Sequence, residues 1–304
     1  MSNKTSVSGF LLLPFSDVRE FQILHFVSFL LLYLGIVSGN LLIITAIALD
    51  HHLHGPMYFF LMNLAIQDTG FVSVFIPKSM ANSLMNTRHI SYYGCVAQVF
   101  LFVFFASSNF SLLTVIAYDR YVAICNPLEY EMIMNRDACM QIIAIVWMTG
   151  FLYSVLHTTG TFASPFCSNI INQFFCEIPE LLKIACSDLY LIEMGVVVLS
   201  MFIFLVCFIF IVVTYVHIFT AVRRIRSVQG RKKALSTCLP HLIVVSTYVS
   251  TACFAYLRPS SDNPSHLDIA ITIMYCVVPP LLNPVIYSMR NKEIKNTVRR
   301  LLGC

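Results

Sequence analysis

Seven stretches long and apolar enough to cross a bilayer constrain this 304-residue chain more than anything else in it. A hydrocarbon core about 30 Å thick takes about 20 residues of helix to span. Lipid accepts only backbones that satisfy their own hydrogen bonds, so such runs fold as helices. Hydropathy places them at residues 23–49, 57–80, 92–122, 139–161, 191–222, 234–257 and 268–289, and the first, fourth and fifth read as carrying no charge in their cores. With 58% hydrophobic and only 11% charged residues, too little polar surface remains for a water-soluble globule. The longest connection, 162–190, is too short for a soluble domain of its own. The fold class predicted is an all-α membrane protein: a seven-transmembrane helix bundle forming a single domain over residues 1–304, followed by a short amphipathic C-terminal helix.

Lys and Arg fix the orientation. The connections after the first, third and fifth spans, together with the C-terminal tail, hold 13 of the 19 basic residues. By the positive-inside rule those segments are cytoplasmic and the N-terminus is extracellular. Net charge is +7 on the inner side and −2 on the outer. The formal charge of +4 therefore reports topology, the partner it implies is the lipid bilayer, and no nucleic acid is called for. The start of the chain is polar, and its one apolar run, Phe10 to Phe15, is short and broken by Pro14, which does not read as a cleavable signal peptide. Asn3-Lys4-Thr5 is a glycosylation sequon in the extracellular tail. Cys95, Cys167, Cys176 and Cys186 fall on the oxidising side, where four cysteines allow three connectivities. Cys207, Cys253 and Cys276 read as small buried hydrophobes, and Cys304 as a palmitoylation candidate. Loop 162–190, pinned by disulfides around Phe174-Phe-Cys-Glu-Ile-Pro179, reads as a lid over the bundle mouth. From Asn291 to Leu302, basic residues alternate with Ile294, Val298, Leu301 and Leu302 at helical spacing, which suits a helix lying on the inner leaflet.

Polar residues inside the spans carry the functional signal. Asp68 reads as the only acid deep in a span, where an ionisable group costs roughly 2.5–3.5 kcal/mol. Asn40, Asn109 and Asn283 stand at comparable depth, so the four form either a water-filled cluster able to take a cation or plain interhelical hydrogen bonding. Pro279, Pro280 and Pro284 interrupt the seventh span near them, where a hinge belongs. At the end of the third span, Asp119 and Arg120 follow an uncharged run from Phe100 to Tyr118 and precede Pro127. An Arg beside an Asp at this boundary is either a topology anchor or a switch whose partner changes between states. Phe102, Val103, Ala106, Ser107 and Phe110 lie on one face of the same helix, about 16 residues or roughly 25 Å from Arg120. A ligand there and a partner at Arg120 communicate only through helix movement.

Taken in order, Gly39-Asn40, Leu53 to Leu61, Leu64 to Asp68, Ala117 to Leu128, Lys233 to Leu242 and Pro280 to Asn291 make the chain resemble the rhodopsin-like (class A) G-protein-coupled receptors, and within them the tetrapod-type (class II) odorant receptors. The resemblance covers essentially the whole length. It implies a multi-pass plasma-membrane receptor of olfactory sensory neuron cilia that binds an odorant and activates a heterotrimeric stimulatory olfactory G protein, raising cyclic AMP. It further implies the disulfides Cys95–Cys176 and Cys167–Cys186, and an activation switch of Asp119, Arg120, Tyr121, Tyr215 and Tyr287. The odorant pocket it implies is lined by Phe102, Val103, Ala106, Ser107, Ile178, Leu199, Ser200, Ile203, Ala252, Cys253, Tyr256 and Cys276.

Departures from the family pattern are informative. Tyr248-Val249-Ser250 replaces the usual Phe-Tyr-Gly of the sixth span, which displaces the tyrosine expected below the ligand. Arg231, Lys232 and Lys233 stand where many receptors place an acid to hold the switch Arg, so an ordinary ionic lock is unavailable. The segment Ile269 to Met289 has no Lys for a retinal Schiff base. The outer third span offers Phe102 and Val103 where an amine receptor needs an acid, so neutral, mostly apolar ligands are expected. A transporter or channel lacks support, with no internal repeat, paired broken helices or second buried charge. No nucleophile–base pair or metal-ligand spacing suggests an enzyme. No cofactor or metal is implied beyond a sodium ion near Asp68.

Overall fold

The computed structural model describes residues 8–16, 18–187, 189–256, 266–290 and 292–302. Asn3, Asn291 and Cys304, and the side chains of Lys233, Ala252, Tyr256 and Tyr287, lie outside the described residues. Seven helices are long and apolar enough to cross a membrane: α1 (Arg19–Leu49), α2 (Pro56–Met85), α3 (Tyr92–Cys125), α5 (Arg136–Phe162), α7 (Tyr190–Arg224), α8 (Val228–Tyr256) and α9 (His266–Arg290). Short helices α4 (Tyr130–Ile133) and α6 (Ile178–Lys183) sit in connections, and α10 (Lys292–Leu302) follows the last span. The chain is a seven-helix membrane bundle.

Helix ends follow local chemistry. Pro56 opens α2, where its missing N–H costs nothing. Asn86 closes α2 in the left-handed region at φ 51°, a conformation Asn tolerates. The Arg19 guanidinium donates to the Ser83 and Leu84 carbonyls at 3.0 and 2.7 Å, placing a cation on the C-terminal dipole of α2. Ser91 Oγ accepts from Gly94 N at 3.1 Å to cap α3, and Asn135 Oδ1 accepts from Ala138 N at 2.9 Å to cap α5. Close packing in lipid uses small residues. A Cβ at Gly150 of α5 would lie 2.0 Å from Ser108 Oγ of α3, so the glycine sets how nearly these helices approach.

Three apolar clusters fill the bundle. The largest joins α2, α3, α5, α7 and α8 in the cytoplasmic half and takes in Ile294 of α10. A second, rich in Phe, lies in the outer half around Phe71, Phe75, Phe102, Phe174 and Phe175. The third sits beneath a small extracellular sheet. That sheet has the order β2-β1-β3, with β1 (Gly9–Leu12) antiparallel to β2 (His89–Ser91) and parallel to β3 (Ile170–Ile171). The apolar run at the chain start thus becomes the central strand of a lid, with Phe10 fully buried against Phe166 at 5.3 Å.

Two disulfides hold the lid: Cys95–Cys176 ties it to α3, and Cys167–Cys186 closes it on itself. On the inner side, Asp50 after α1 accepts from Thr297 Oγ1 at 2.6 Å and from Arg300 at 2.5 Å, and Tyr58 donates to Glu293. These contacts tie α10 to the inner ends of α1 and α2. Its Ile294 packs into the bundle core, while Leu301, two turns further along the same face, remains exposed. Cys176→Ser removes the tie from lid to α3, and losing a native disulfide costs about 2–5 kcal/mol. The variant is expected to unfold at lower temperature in detergent and to reach the cell surface less; unchanged melting would show that this bond does not hold the lid.

Candidate ligand and coupling sites

The outer site is built between a roof and a floor. The roof is the lid: Phe175 packs on Phe102 of α3 at 5.3 Å, and Phe102 meets Tyr275 of α9 edge-on at 6.4 Å. Gln173 Nε2 donates to Thr272 Oγ1 at 2.9 Å, and Tyr275 donates its hydroxyl to Glu177 Oε1 at 2.6 Å. Gln98 of α3 accepts from Cys176 N at 2.8 Å beside the disulfide. The lid is therefore fastened to α3 and α9 together. The floor is an aromatic stack, in which Phe110 lies 4.4 Å from Phe204 of α7 and 5.6 Å from Tyr248 of α8. Tyr248 donates to the Ala106 carbonyl at 3.2 Å, directly across the face where the sequence expects ligand.

Residues anticipated for the pocket separate in the structure. Phe102 and Cys276 are buried, while Val103, Ala106, Ser107, Ser200 and Cys253 are half-buried, and Ile178 packs with Val103 under the lid. Leu199 and Ile203 do not belong with them: they are 52% and 46% exposed on the outside of α7. The inward face of that helix runs through Glu193, Ser200 and Phe204. The resemblance supplied Leu199 and Ile203, and since α7 is apolar almost all round, periodicity offers no phase to check them; the residue of this turn that faces inward is Phe204. One further expectation is corrected. The sequence suggests no second buried charge beside Asp68, whereas Glu193, in the first turn of α7, is fully buried against His157 of α5. The roof buries an acid as well, Glu177. Burial pushes the Glu177 carboxyl up to about 7, against the lowering effect of the Tyr275 hydrogen bond; Glu180 raises it slightly and Gln173 and Lys183 lower it slightly.

Midway through the bundle, Asp68 accepts from Asn109 Nδ2 on one oxygen and Asn283 Nδ2 on the other, both at 2.7 Å. Asn40 Nδ2 donates to the Ile36 and Pro280 carbonyls at 3.0 and 3.3 Å. The second of these is a carbonyl in the proline-interrupted stretch of α9. The four predicted polar residues thus join α1, α2, α3 and α9. The carboxamide oxygens of Asn40 and Asn283 are buried without a hydrogen-bond partner.

At the cytoplasmic end the anticipated acid–base pair is not an ion pair. Asp119 accepts from the Tyr130 hydroxyl at 2.8 Å, and no ion pair joins it to Arg120. Burial and the Asp119 carboxylate push the Tyr130 hydroxyl up, which keeps it a donor. Arg120 is buried beside α8, within electrostatic reach of Cys238 and His241, and its Nε lacks a hydrogen-bond partner. Tyr121 turns away, its ring 6.2 Å from His217 of α7. Tyr215 of α7 lies 2.8 Å from His241 Nδ1, while His241 Nε2 lies 2.9 Å from the Leu113 carbonyl of α3. A carbonyl only accepts, so Nε2 carries the hydrogen and Tyr215 donates to Nδ1. His241 therefore clasps α3, α7 and α8 one helical layer outward of Arg120. Sequence reasoning missed it, although it lies in a matched motif; the signal was a lone imidazole beside Pro240 in an apolar run.

A family model for the olfactory receptor matches residues 29–303. The chain belongs to the olfactory receptor family. Its relatives include olfactory receptor 14A16 of Homo sapiens, 48% identical over 303 residues that cover 99% of this chain and 98% of that protein. Olfactory receptor 14J1 of Homo sapiens is 48% identical over 304 residues, with 100% and 95% covered, and olfactory receptor 14C36 of Homo sapiens is 47% identical, with 99% and 97% covered. This olfactory receptor is a multi-pass plasma-membrane protein and not an enzyme.

The lid carboxyl gives the outer site a testable pH response. Glu177 is raised from its ordinary 4.5 to about 7 when the lid is docked, so the docked state binds the proton more tightly than an open one. Docking is then fully supported below about 4.5 and weakens as pH rises through about 7. Amide hydrogen exchange across residues 170–180, corrected for intrinsic rates, is expected to be slower at acidic than at alkaline pH. Glu177→Gln should flatten that dependence; an unchanged profile in the variant would assign it to another group.

Proposed function

We propose that this olfactory receptor binds small, neutral, mostly apolar volatile molecules between the Phe175 roof and the Phe110–Tyr248 floor, and activates a stimulatory olfactory G protein, raising cyclic AMP. The observation that carries the ligand class is that the walls are apolar or aromatic and the nearby acids are engaged already, Glu177 by Tyr275 and Glu193 by His157. Among the described residues a charged odorant would find no unpaired counter-charge there and would lose its hydration.

Signal transfer follows from the contacts. Tyr248 is the sixth-span residue a ligand presses on, because its ring caps Phe110 and its hydroxyl holds the Ala106 carbonyl. Movement of α8 strains the His241 bond to Leu113 and frees Tyr215. Asp119, Arg120 and Tyr121, with Tyr215 and Tyr287, form the coupling switch, and Arg120 is the group released toward the G protein. The clasp through His241 serves where the basic run at Arg231 and Lys232 rules out an acid. The pocket proper comprises Phe102, Val103, Ala106, Ser107, Ile178, Ser200, Cys253 and Cys276, with Ala252 and Tyr256 from the same helix as Tyr248. A sodium ion suits the centre: Asp68 supplies a carboxylate on which, among the described residues, no cationic side chain acts, and Asn40 and Asn283 supply unpartnered oxygens. The ion would neutralise Asp68 and hold α1, α2 and α9 together.

Cyclic AMP in cells expressing the full chain with the olfactory stimulatory G protein tests this reading against neutral, acidic and basic volatiles. Some neutral odorants are expected to raise cyclic AMP, and Arg120→Ala to abolish the rise at similar surface level. Strong responses to carboxylates or amines with none to neutral odorants would contradict the ligand class, and equal signalling by the variant would remove Arg120 from the switch.

A further inference from the structure

The interface of α5 and α7 holds a titratable cluster that the coupling switch does not use. Glu193, in the first turn of α7, has Oε1 2.5 Å from His157 Nδ1 on α5. The other ring nitrogen, Nε2, lies 2.9 Å from Ser200 Oγ, about two turns further along α7. Ser200 gives its own proton to the Val196 carbonyl at 2.7 Å. A hydroxyl has one proton, so Ser200 accepts from His157 and Nε2 carries a hydrogen. Nδ1 and Oε1 then share a single proton, and the pair is net neutral whichever atom holds it. This removes the cost of a lone buried charge at that depth. The packing is made for it: a Cβ at Gly160 would lie 2.2 Å from Glu193 Oε2, so the missing side chain is the seat of the carboxylate.

The relay ends at the outer site. Ser200 stands about one turn outward of Phe204, whose ring forms the floor with Phe110. Tyr153, edge-on to the His157 ring at 4.5 Å, brings a second hydroxyl to Ser200. We infer that Ser200 and Tyr153 form a polar subsite in the wall of the odorant site that takes the hydroxyl of an alcohol or phenol, with His157 and Glu193 as positioning residues that fix Ser200 as an acceptor. This rests on the reading of the outer half as the odorant site. An alcohol donates to the spare lone pair of Ser200 while its oxygen accepts from Tyr153. A methyl ether or ketone of the same skeleton only accepts, and leaves Ser200 unmet.

The test is a cyclic AMP dose response, in cells expressing the full chain, to medium-chain alcohols, terpene alcohols and phenols, the methyl ether of each, and the matching carbonyl compounds. Alcohols are expected to act at concentrations roughly twofold to tenfold below their ethers, the scale of one net hydrogen bond. Ser200→Ala should bring alcohol potency down to that of the ether measured in the same variant. Glu193→Gln should narrow the same gap. Equal potency of alcohol and ether in the unaltered receptor, or an unchanged gap in Ser200→Ala, overturns the subsite. Equal loss of both ligands in Glu193→Gln at normal surface level assigns the pair a purely structural role and overturns the positioning. A surface-expressed receptor silent to every compound overturns the odorant-site reading itself.

Discussion

Hydrocarbon offers no hydrogen bonds, so the polar side chains of this bundle that find partners on another helix are what make seven apolar helices a specific structure. Dispersion alone would let them slide, since lipid tails are as apolar as leucine. Asp68 gathers Asn109 and Asn283 across α2, α3 and α9. His157 and Glu193 join α5 to α7, and His241 joins α3, α7 and α8. Trp147 Nε1 donates to Asn63 Oδ1 at 3.2 Å, adding α5 to α2. Between these few points the surfaces are apolar and adaptable, which lets the same fold hold one arrangement firmly and still reach another.

The layers stack along the bundle axis in a functional order. Above, the lid is bonded to α3 by a disulfide and to α9 by Glu177 and Gln173, so it reports on both helices. Below it the Phe110 stack couples α3, α7 and α8. The Asp68 layer, with α9 interrupted by prolines, comes next, and the His241 clasp and Arg120 lie nearest the cytoplasm. Each layer contains a helix shared with the next. A change of shape in the outer half reaches Arg120 through rearranged partners rather than through any continuous wire.

Much of this was legible in the sequence because it was written in local signals. Seven apolar runs gave the spans, and Lys and Arg gave the orientation. Asp68 with its three asparagines stood out because amides and acids are rare at that depth. What could not be read depended on pairing between distant residues. Phe10 to Leu12 looked too short to matter, since a strand has no meaning until His89–Ser91 and Ile170–Ile171 supply its partners. Glu193 looked like a residue at the water boundary because nothing local pointed to His157. Leu199 and Ile203 came from the family resemblance, and a helix apolar on all sides carries no rotational mark that could have corrected them. The adjacent Asp119 and Arg120 read as a pair, whereas successive residues on a helix point in different directions, and Asp119 found Tyr130 instead.

The account depends on the His241 clasp opening when the outer site is filled. Spin labels on the cytoplasmic ends of α3 and α8, with the distance between them measured by pulsed electron paramagnetic resonance, test this most directly. A neutral odorant that raises cyclic AMP should shift the distribution to longer distances in the receptor bound to its G protein, with α8 leaving α3. A distribution unchanged by such an odorant, at concentrations that signal, would contradict it.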